Sequence, residues 1–276
     1  MKKIRKKDFV RRMEEALHTA HFSLRPDVRS YLQELSRRLD GERRFVVQLY
    51  EENARLAREE KRALCQDTGY VQVYLFMGRV CFDFPVKKVI EEVVENFYKK
   101  YHLRMSLAHP LTRENTKTNT PVFIQTEWNE SDRLECVVLI KGGGSENVTR
   151  TQLFLPTEGR AAIEDWIVSE MKRIGSKGCP PYLLGVCIGG TLEKAVSYSK
   201  QLLLKPLGFR SRNEMENEIA DSLKERINAL SGGFQGLGFG ETVMDVFVRL
   251  VPSHIATLPV AFSVGCNAVR QAHFVL

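Results

Sequence analysis

The sequence lacks the features that define several large classes of protein. Its apolar runs, such as the one from Tyr182 to Ile188, are far shorter than the roughly 20 residues that a bilayer-spanning helix needs. The amino terminus has no apolar core followed by a small-residue cleavage site, so no secretory signal is expected. With 276 residues, 43% hydrophobic and 27% charged, the chain is predicted to be a folded cytoplasmic protein.

Closely spaced cysteines are also missing. The six cysteines are Cys65, Cys81, Cys136, Cys179, Cys187 and Cys266. Because none forms a CxxC pair, a zinc finger or ribbon is not expected. A chain of this size without a secretion signal does not call for a disulfide framework either. The cysteines are therefore either small buried side chains or groups that the fold brings together for chemistry.

The surroundings of the cysteines divide them into two groups of three. Two lie inside apolar strands and one flanks a Phe-rich stretch, which predicts core thiols at Cys136, Cys187 and Cys81. The others each lie at a predicted strand end, namely Cys65, Cys179 and Cys266. If these three converge, they could hold an iron–sulfur cluster with one iron left without a protein ligand. Such an iron could act as a Lewis acid on a substrate hydroxyl, which is the chemistry of a hydro-lyase.

Positive charge is concentrated at the start of the chain. The formal net charge is +7, and the first twelve residues, MKKIRKKDFVRR, are strongly basic. A nucleic-acid or membrane-surface arm is one interpretation. A solvated or frayed terminus is favoured instead, because no pattern of stacking aromatics accompanies the charge. We therefore expect neither a nucleic-acid nor a membrane partner.

Hydrophobic periodicity predicts an α+β fold with mixed sheets, helices packed on them, and the functional site at strand ends. Residues 1–64 are predicted to be helical, and residues 65–276 are predicted to bind cofactor and substrate. The two parts are predicted to form one domain, 1–276. A polar loop covers 103–121, where function is expected. The predicted helices include 86–101, 161–174, 193–204 and 213–230, and the predicted strands include 71–75, 122–128, 134–140, 182–188, 243–250 and 258–264.

Two glycine-rich stretches could bind a ligand through backbone N–H groups. In KGGGSEN, residues 141–147, the lysine precedes the glycines, so the stretch is not a phosphate-binding P-loop. GFQGLGFG, residues 233–240, follows a helix rather than a strand and is not a dinucleotide fingerprint. Both suit carboxylate binding, and both could also be plain turns.

Four motifs in this order resemble a known family. They are CQDTG at 65–69, KGGGSEN at 141–147, CPPYLLGV with IGGT at 179–191, and Ser253-His254 ahead of Leu258-Pro259-Val260 and Cys266. From about residue 40 onward the chain resembles the iron–sulfur-dependent class I fumarate hydratases and the related L-tartrate dehydratases. In long members one polypeptide also carries a smaller C-terminal domain. This chain ends soon after Cys266, so we expect an α subunit that works with a separate β subunit, as a heterotetramer.

The resemblance implies a ligand set and catalytic residues. A [4Fe–4S] cluster with one open iron would be held by Cys65, Cys179 and Cys266. Asp67 would reach the substrate and help to position the catalytic base, and His254 would act as hydrogen-bond donor or acid. Without the resemblance, Asp67 would be interpreted as a helix cap and His254 as a core histidine with satisfied hydrogen bonds.

Three further residues are implied to bind substrate. Gln66 would contact it, Arg104 would pair with a carboxylate through its two-pronged guanidinium, and the Gly143 region would offer backbone N–H. A surface ion pair is the alternative for Arg104. Phe239, Glu241 and the segment 267–273 depart from the usual family pattern, which bears on the substrate more than on the cluster.

The expected activity is hydration of fumarate to malate, a step of the tricarboxylic acid cycle. KGGGSEN and IGGT favour fumarate, with L-tartrate or a related dicarboxylate as the alternative substrate. A non-catalytic iron–sulfur or redox-sensing protein is the alternative from another class, since a sensor needs exposed, reactive thiols.

Overall fold

The computed structural model describes residues 2–276 and confirms the predicted α+β fold. The elements, in chain order, are β1 (Lys2–Ile4), α1 (Lys6–Phe22), α2 (Pro26–Arg38), α3 (Gly41–Glu60), β2 (Tyr70–Met77), β3 (Val80–Phe82), α4 (Val86–Lys100), β4 (Phe123–Trp128), β5 (Leu134–Lys141), α5 (Gly143–Glu146), β6 (Arg150–Phe154), α6 (Gly159–Ile174), β7 (Tyr182–Gly189), α7 (Leu192–Leu202), α8 (Glu214–Asn228), β8 (Val243–Val251), β9 (Leu258–Gly265) and β10 (Gln271–Val275).

The chain divides into two compact units. The first unit comprises residues 1–142 and 268–276, and the second comprises residues 143–267. The helical part predicted for residues 1–64 lies within the first unit, where α1 packs against β5 and β10.

The first unit is built on a four-stranded sheet in the order β10-β5-β2-β4. Residues of β2 alternate between its faces, and Val71, Val73 and Leu75 lie in the core as their spacing predicted. The same core contains the apolar stripe of α4, with Val89 and Phe97 among its members. Burial of these apolar side chains in one shared core stabilises this unit.

The basic amino terminus is ordered. Strand β1 pairs in parallel with β3, and α1 buries Phe9 and Met13 completely. The prediction of a frayed terminus is therefore wrong, because Ile4, Phe9 and Met13 supply apolar anchors. The prediction of solvated charge is confirmed, since Lys2 and Lys3 and the basic residues at 5–7 are exposed.

The second unit is built on a sheet in the order β6-β9-β7-β8. Helices α6 and α8 pack on one face with Leu184 and Val186 of β7, and Cys187 joins a small cluster with Ala195 of α7. Strand β7 is thus covered on both faces, as its continuous apolar run suggests. Gly185 permits the close approach of α7, because a Cβ at this position would lie 2.1 Å from the Ser199 carbonyl oxygen.

Most predicted elements are present, with differences at their ends. Strands β1, β3, β6 and β10 were not predicted. Helix α3 ends at Glu60, where Lys61 adopts a left-handed conformation. Asn213 caps α8 by accepting a hydrogen bond from the Met215 N–H at 3.1 Å, whereas Glu216 binds the Leu250 N–H rather than completing a capping box. Across residues 2–276, no helix combines the length and hydropathy required to cross a bilayer.

Candidate active site

The CQDTG turn, residues 65–69, lies at the start of strand β2 in the sheet of the first unit. It leads into β2, whose first residue, Tyr70, pairs with Lys141 at the end of β5. Gln66 is exposed, whereas Asp67 is half-buried and accepts a hydrogen bond on Oδ1 from the Gly69 N–H at 2.9 Å. Asp67 therefore stabilises a turn rather than capping a helix. Gly69 has φ of 68°, and a Cβ there would lie 2.6 Å from the Lys141 carbonyl oxygen, so this position requires glycine.

Buried side chains bind three consecutive carbonyl groups of this turn. An Nη of Arg270 donates to the Asp67 carbonyl oxygen at 2.5 Å, and the Tyr98 hydroxyl donates to that of Thr68 at 2.9 Å. The Asn119 Nδ2 donates to the carbonyl oxygen of Gly69 at 3.1 Å. Because these donors come from a strand start, a helix and a loop, the conformation of the turn is fixed by the tertiary fold. None of the three was predicted as a site residue.

Gly142 leaves room for the Asp67 side chain. A Cβ at Gly142 would lie 2.9 Å from Oδ2 of Asp67 and 3.2 Å from an Nη of Arg270. The absence of a side chain in the second residue of KGGGSEN is therefore what allows carboxylate and guanidinium to occupy their positions. Gly143, the predicted source of a backbone N–H, is exposed at the start of α5.

Arg104 lies on a segment that is tied to the same turn. The Thr68 hydroxyl donates to the Arg104 carbonyl oxygen at 2.6 Å. Oδ1 of Asn119 accepts from the N–H groups of Ser106, at 2.7 Å, and Leu107, at 3.2 Å. The Arg104 side chain is exposed, and among residues 2–276 no carboxylate pairs with it. The surface ion pair is therefore not formed, and the guanidinium is available to an anion.

Cys179 and Cys266 lie at the same end of two neighbouring strands in the sheet of the second unit. Strands β7 and β9 are antiparallel with Leu183 opposite Gly265, so the start of β7 lies beside the end of β9. Cys179 precedes β7, and Cys266 directly follows β9. Burial raises the pKa of Tyr182 to about 12, and the charges of Cys179 and Cys266 add to this rise.

The Cys179-Pro180 backbone accepts hydrogen bonds from residues of two loops. The Pro180 carbonyl oxygen accepts two hydrogen bonds from Gln235, one from its backbone N–H at 3.0 Å and one from its side-chain Nε2 at 2.8 Å. The Asn267 N–H donates to the Cys179 carbonyl oxygen at 3.2 Å. Gln235 lies in the glycine-rich loop with φ of 52°. This loop therefore supports the cysteine turn of the second unit.

His254 lies on the exposed loop between β8 and β9. Its Nδ1 accepts a hydrogen bond from the Ala256 N–H at 3.2 Å, which leaves Nε2 to carry the proton of the neutral ring. The interpretation as a core histidine is wrong, because the side chain is exposed. A ring with an exposed Nε2–H can donate a hydrogen bond to a ligand.

The thiols differ in accessibility. Cys136 and Cys187 are fully buried, as predicted, and burial raises the pKa of Cys187 to about 11. Cys81 is half-buried in β3. The three candidate ligands are more accessible than Cys136 and Cys187, with Cys179 exposed and Cys65 and Cys266 half-buried like Cys81. Across residues 2–276, no group of three or more His, Cys, Asp or Glu side chains is arranged to hold a metal ion, so the three-cysteine ligand set stays a prediction.

Comparison with known proteins identifies the family. The sequence profile described as "Fumarate hydratase (Fumerase)" matches residues 10–275. A protein of Methanocaldococcus jannaschii named "Putative L(+)-tartrate dehydratase subunit alpha" is 36% identical over 94% of each chain. The "L(+)-tartrate dehydratase subunit alpha" of Escherichia coli K12 is 29% identical over 80% of this chain and 74% of its own, and that of Shigella boydii matches equally. The chain therefore belongs to the fumarate hydratase (Fumerase) family of hydro-lyases.

Proposed function

We propose that this chain is the α subunit of an iron–sulfur-dependent hydro-lyase that interconverts fumarate and malate. The observation that carries the proposal is the difference among its thiols: Cys179 and Cys266 lie at the same end of two adjacent strands and are exposed and half-buried respectively, while Cys136 and Cys187 are buried in the core. Accessible thiols at strand ends suit ligand chemistry, whereas buried thiols act as small apolar side chains.

The donor set fits an iron–sulfur cluster. Such clusters are bound by cysteine thiolates, and all six cysteines are free of disulfides. The ligands would be Cys65, Cys179 and Cys266. When bound, a [4Fe–4S] cluster with one iron that lacks a cysteine ligand would supply a Lewis acid for the substrate hydroxyl.

The remaining roles follow from what each side chain can do. Arg104 would bind one substrate carboxylate bidentately, and Gln66 and the Gly143 N–H would add hydrogen bonds. In dehydration, a base removes the proton from the carbon next to a carboxylate, and the departing hydroxyl takes up a proton to leave as water. Asp67 would help to position that base, and the Nε2–H of His254 would donate to the substrate.

A β subunit is part of this proposal. The dicarboxylate carries two negative charges, and Arg104 is one positive charge. The three relatives described above are all named as alpha subunits, which supports a partner chain here. We expect the partner to supply the remaining cationic contacts, so the purified chain alone should be inactive and the heteromer, expected as a heterotetramer, should be active.

L-Tartrate is the second candidate substrate. The matching relatives carry tartrate dehydratase names, and tartrate differs from malate by one hydroxyl. Anaerobic co-expression with a β subunit, cluster reconstitution and parallel turnover assays on L-malate and L(+)-tartrate will distinguish the two. Malate turnover is expected, tartrate turnover alone would reverse the choice, and turnover of neither would refute the proposal. Cys187→Ser is the matched control for Cys179→Ser and should keep activity.

A further inference from the structure

Asn119 connects the CQDTG turn with the segment that carries Arg104. It is completely buried, with a left-handed φ of 55°. Its amide nitrogen donates to the Gly69 carbonyl oxygen, and its amide oxygen accepts from the Ser106 and Leu107 N–H groups. One side chain thus uses both its donor and its acceptor capacity on two segments that are distant in sequence.

The two segments depend on Asn119 to different degrees. The turn keeps two other buried donors, Arg270 and Tyr98, on its Asp67 and Thr68 carbonyl groups. The Arg104 segment keeps other links, with the Thr68 hydroxyl on the Arg104 carbonyl oxygen and the Asn115 amide on that of Met105, but two of its N–H groups, those of Ser106 and Leu107, both donate to Asn119. Loss of the Asn119 amide should therefore release the segment around Arg104 more than the turn.

We propose that Asn119 is a positioning residue that fixes Arg104 relative to Gln66 and Asp67, and so sets how tightly a dicarboxylate binds. The inference rests on the proposed function, because it assigns Arg104 to a substrate carboxylate. It concerns substrate binding rather than cluster ligation, since Asn119 contacts the backbone of residues 69, 106 and 107 and no cysteine.

The choice of variants follows from the left-handed backbone. Glycine adopts this conformation without steric cost, so Asn119→Gly removes the amide and keeps the loop geometry. Asn119→Asp keeps an acceptor for Ser106 and Leu107 but cannot donate to Gly69. Lys117→Gly is the matched control, because Lys117 has φ of 61° in the same loop and an exposed side chain.

The kinetic test uses the reconstituted heteromer. We expect Asn119→Gly to raise KM for the dicarboxylate about tenfold while kcat and iron content stay within about threefold, and Lys117→Gly to change neither. In an Arg104→Ala background, Asn119→Gly should raise KM less than twofold further, because the two residues act through one interaction. Fully additive effects, or a loss of kcat and iron with unchanged KM, would overturn the inference.

A second measurement does not depend on activity. Hydrogen–deuterium exchange followed on peptides covering residues 103–108 of the full chain should show at least tenfold faster exchange at Ser106 and Leu107 in Asn119→Gly, and near-normal exchange in Asn119→Asp. Unchanged exchange in Asn119→Gly would overturn the inference even if the enzyme is active. If the heteromer turns over no dicarboxylate, the proposed function fails and its substrate-binding consequence with it, while faster exchange would still establish the link itself.

Discussion

Replacement of Gly142 by alanine should impair catalysis much more than stability. The new Cβ would lie 2.9 Å from Oδ2 of Asp67, whereas carbon–oxygen contacts are comfortable at about 3.4 Å, so the carboxylate must shift by about half an ångström. The contact is the end of a mobile side chain, and an off-rotamer adjustment costs about 1 kcal/mol. A shift of that size in a catalytic group corresponds to a loss of about tenfold or more in kcat/KM.

Gly144→Ala provides the control for this prediction. Its Cβ would meet only the Lys177 carbonyl oxygen, at 3.4 Å, which is an ordinary contact. We expect Gly142→Ala to lower the Tm by about 2–4 °C and kcat/KM at least tenfold, and Gly144→Ala to leave both near the wild-type values. Thermal unfolding and steady-state turnover of the heteromer measure the two effects. Wild-type activity in Gly142→Ala would refute a catalytic role for the Asp67 carboxylate.

Three further predictions concern thiols, pH and packing. Serine at any one proposed cluster ligand should abolish the visible absorbance of the reconstituted protein, whereas Cys136→Ser should not; equal loss in both would contradict the assignment. Burial lowers the pKa of His21 from 6.5 to about 3. The folded state therefore excludes a proton that the unfolded chain binds, and stability should fall below pH 6.5 by about 1.4 kcal/mol per pH unit from this group. In urea titrations between pH 6.5 and 4.5, His21→Gln should flatten that dependence, and an unchanged slope would disprove it. Gly185→Ala should destabilise the protein by about 1–3 kcal/mol or more, because its Cβ would meet α7 backbone at 2.1 Å; an unchanged Tm would contradict the close approach.

The sequence was informative where periodicity or a motif carried the signal. The apolar stripe of α4, the inward face of β2 and the burial of Cys136 and Cys187 all follow from local patterns. The edge strands β6 and β10 were missed because they are short and partly exposed, which leaves little alternation to detect.

The residues that fix the backbone of the candidate site could not be predicted from local sequence patterns. Arg270 donates to a carbonyl group 203 residues earlier in the chain, and Asn119 to one 50 residues earlier. A polar residue inside a polar loop gives no sign of such a partner. The one available signal for Asn119 was its place in the ordered loop 103–121, where function was expected, without an indication of which residue mattered.

The central claim is that Cys65, Cys179 and Cys266 hold a cluster with one iron open to substrate. Electron paramagnetic resonance of the reconstituted heteromer during controlled exposure to air tests it most directly. Oxidation should release the iron without a thiolate first, giving a three-iron signal as activity falls, and ferrous iron with a reductant should restore activity under anaerobic conditions. Activity that is lost without a three-iron signal, or that is indifferent to oxygen and to iron chelators, would contradict the claim.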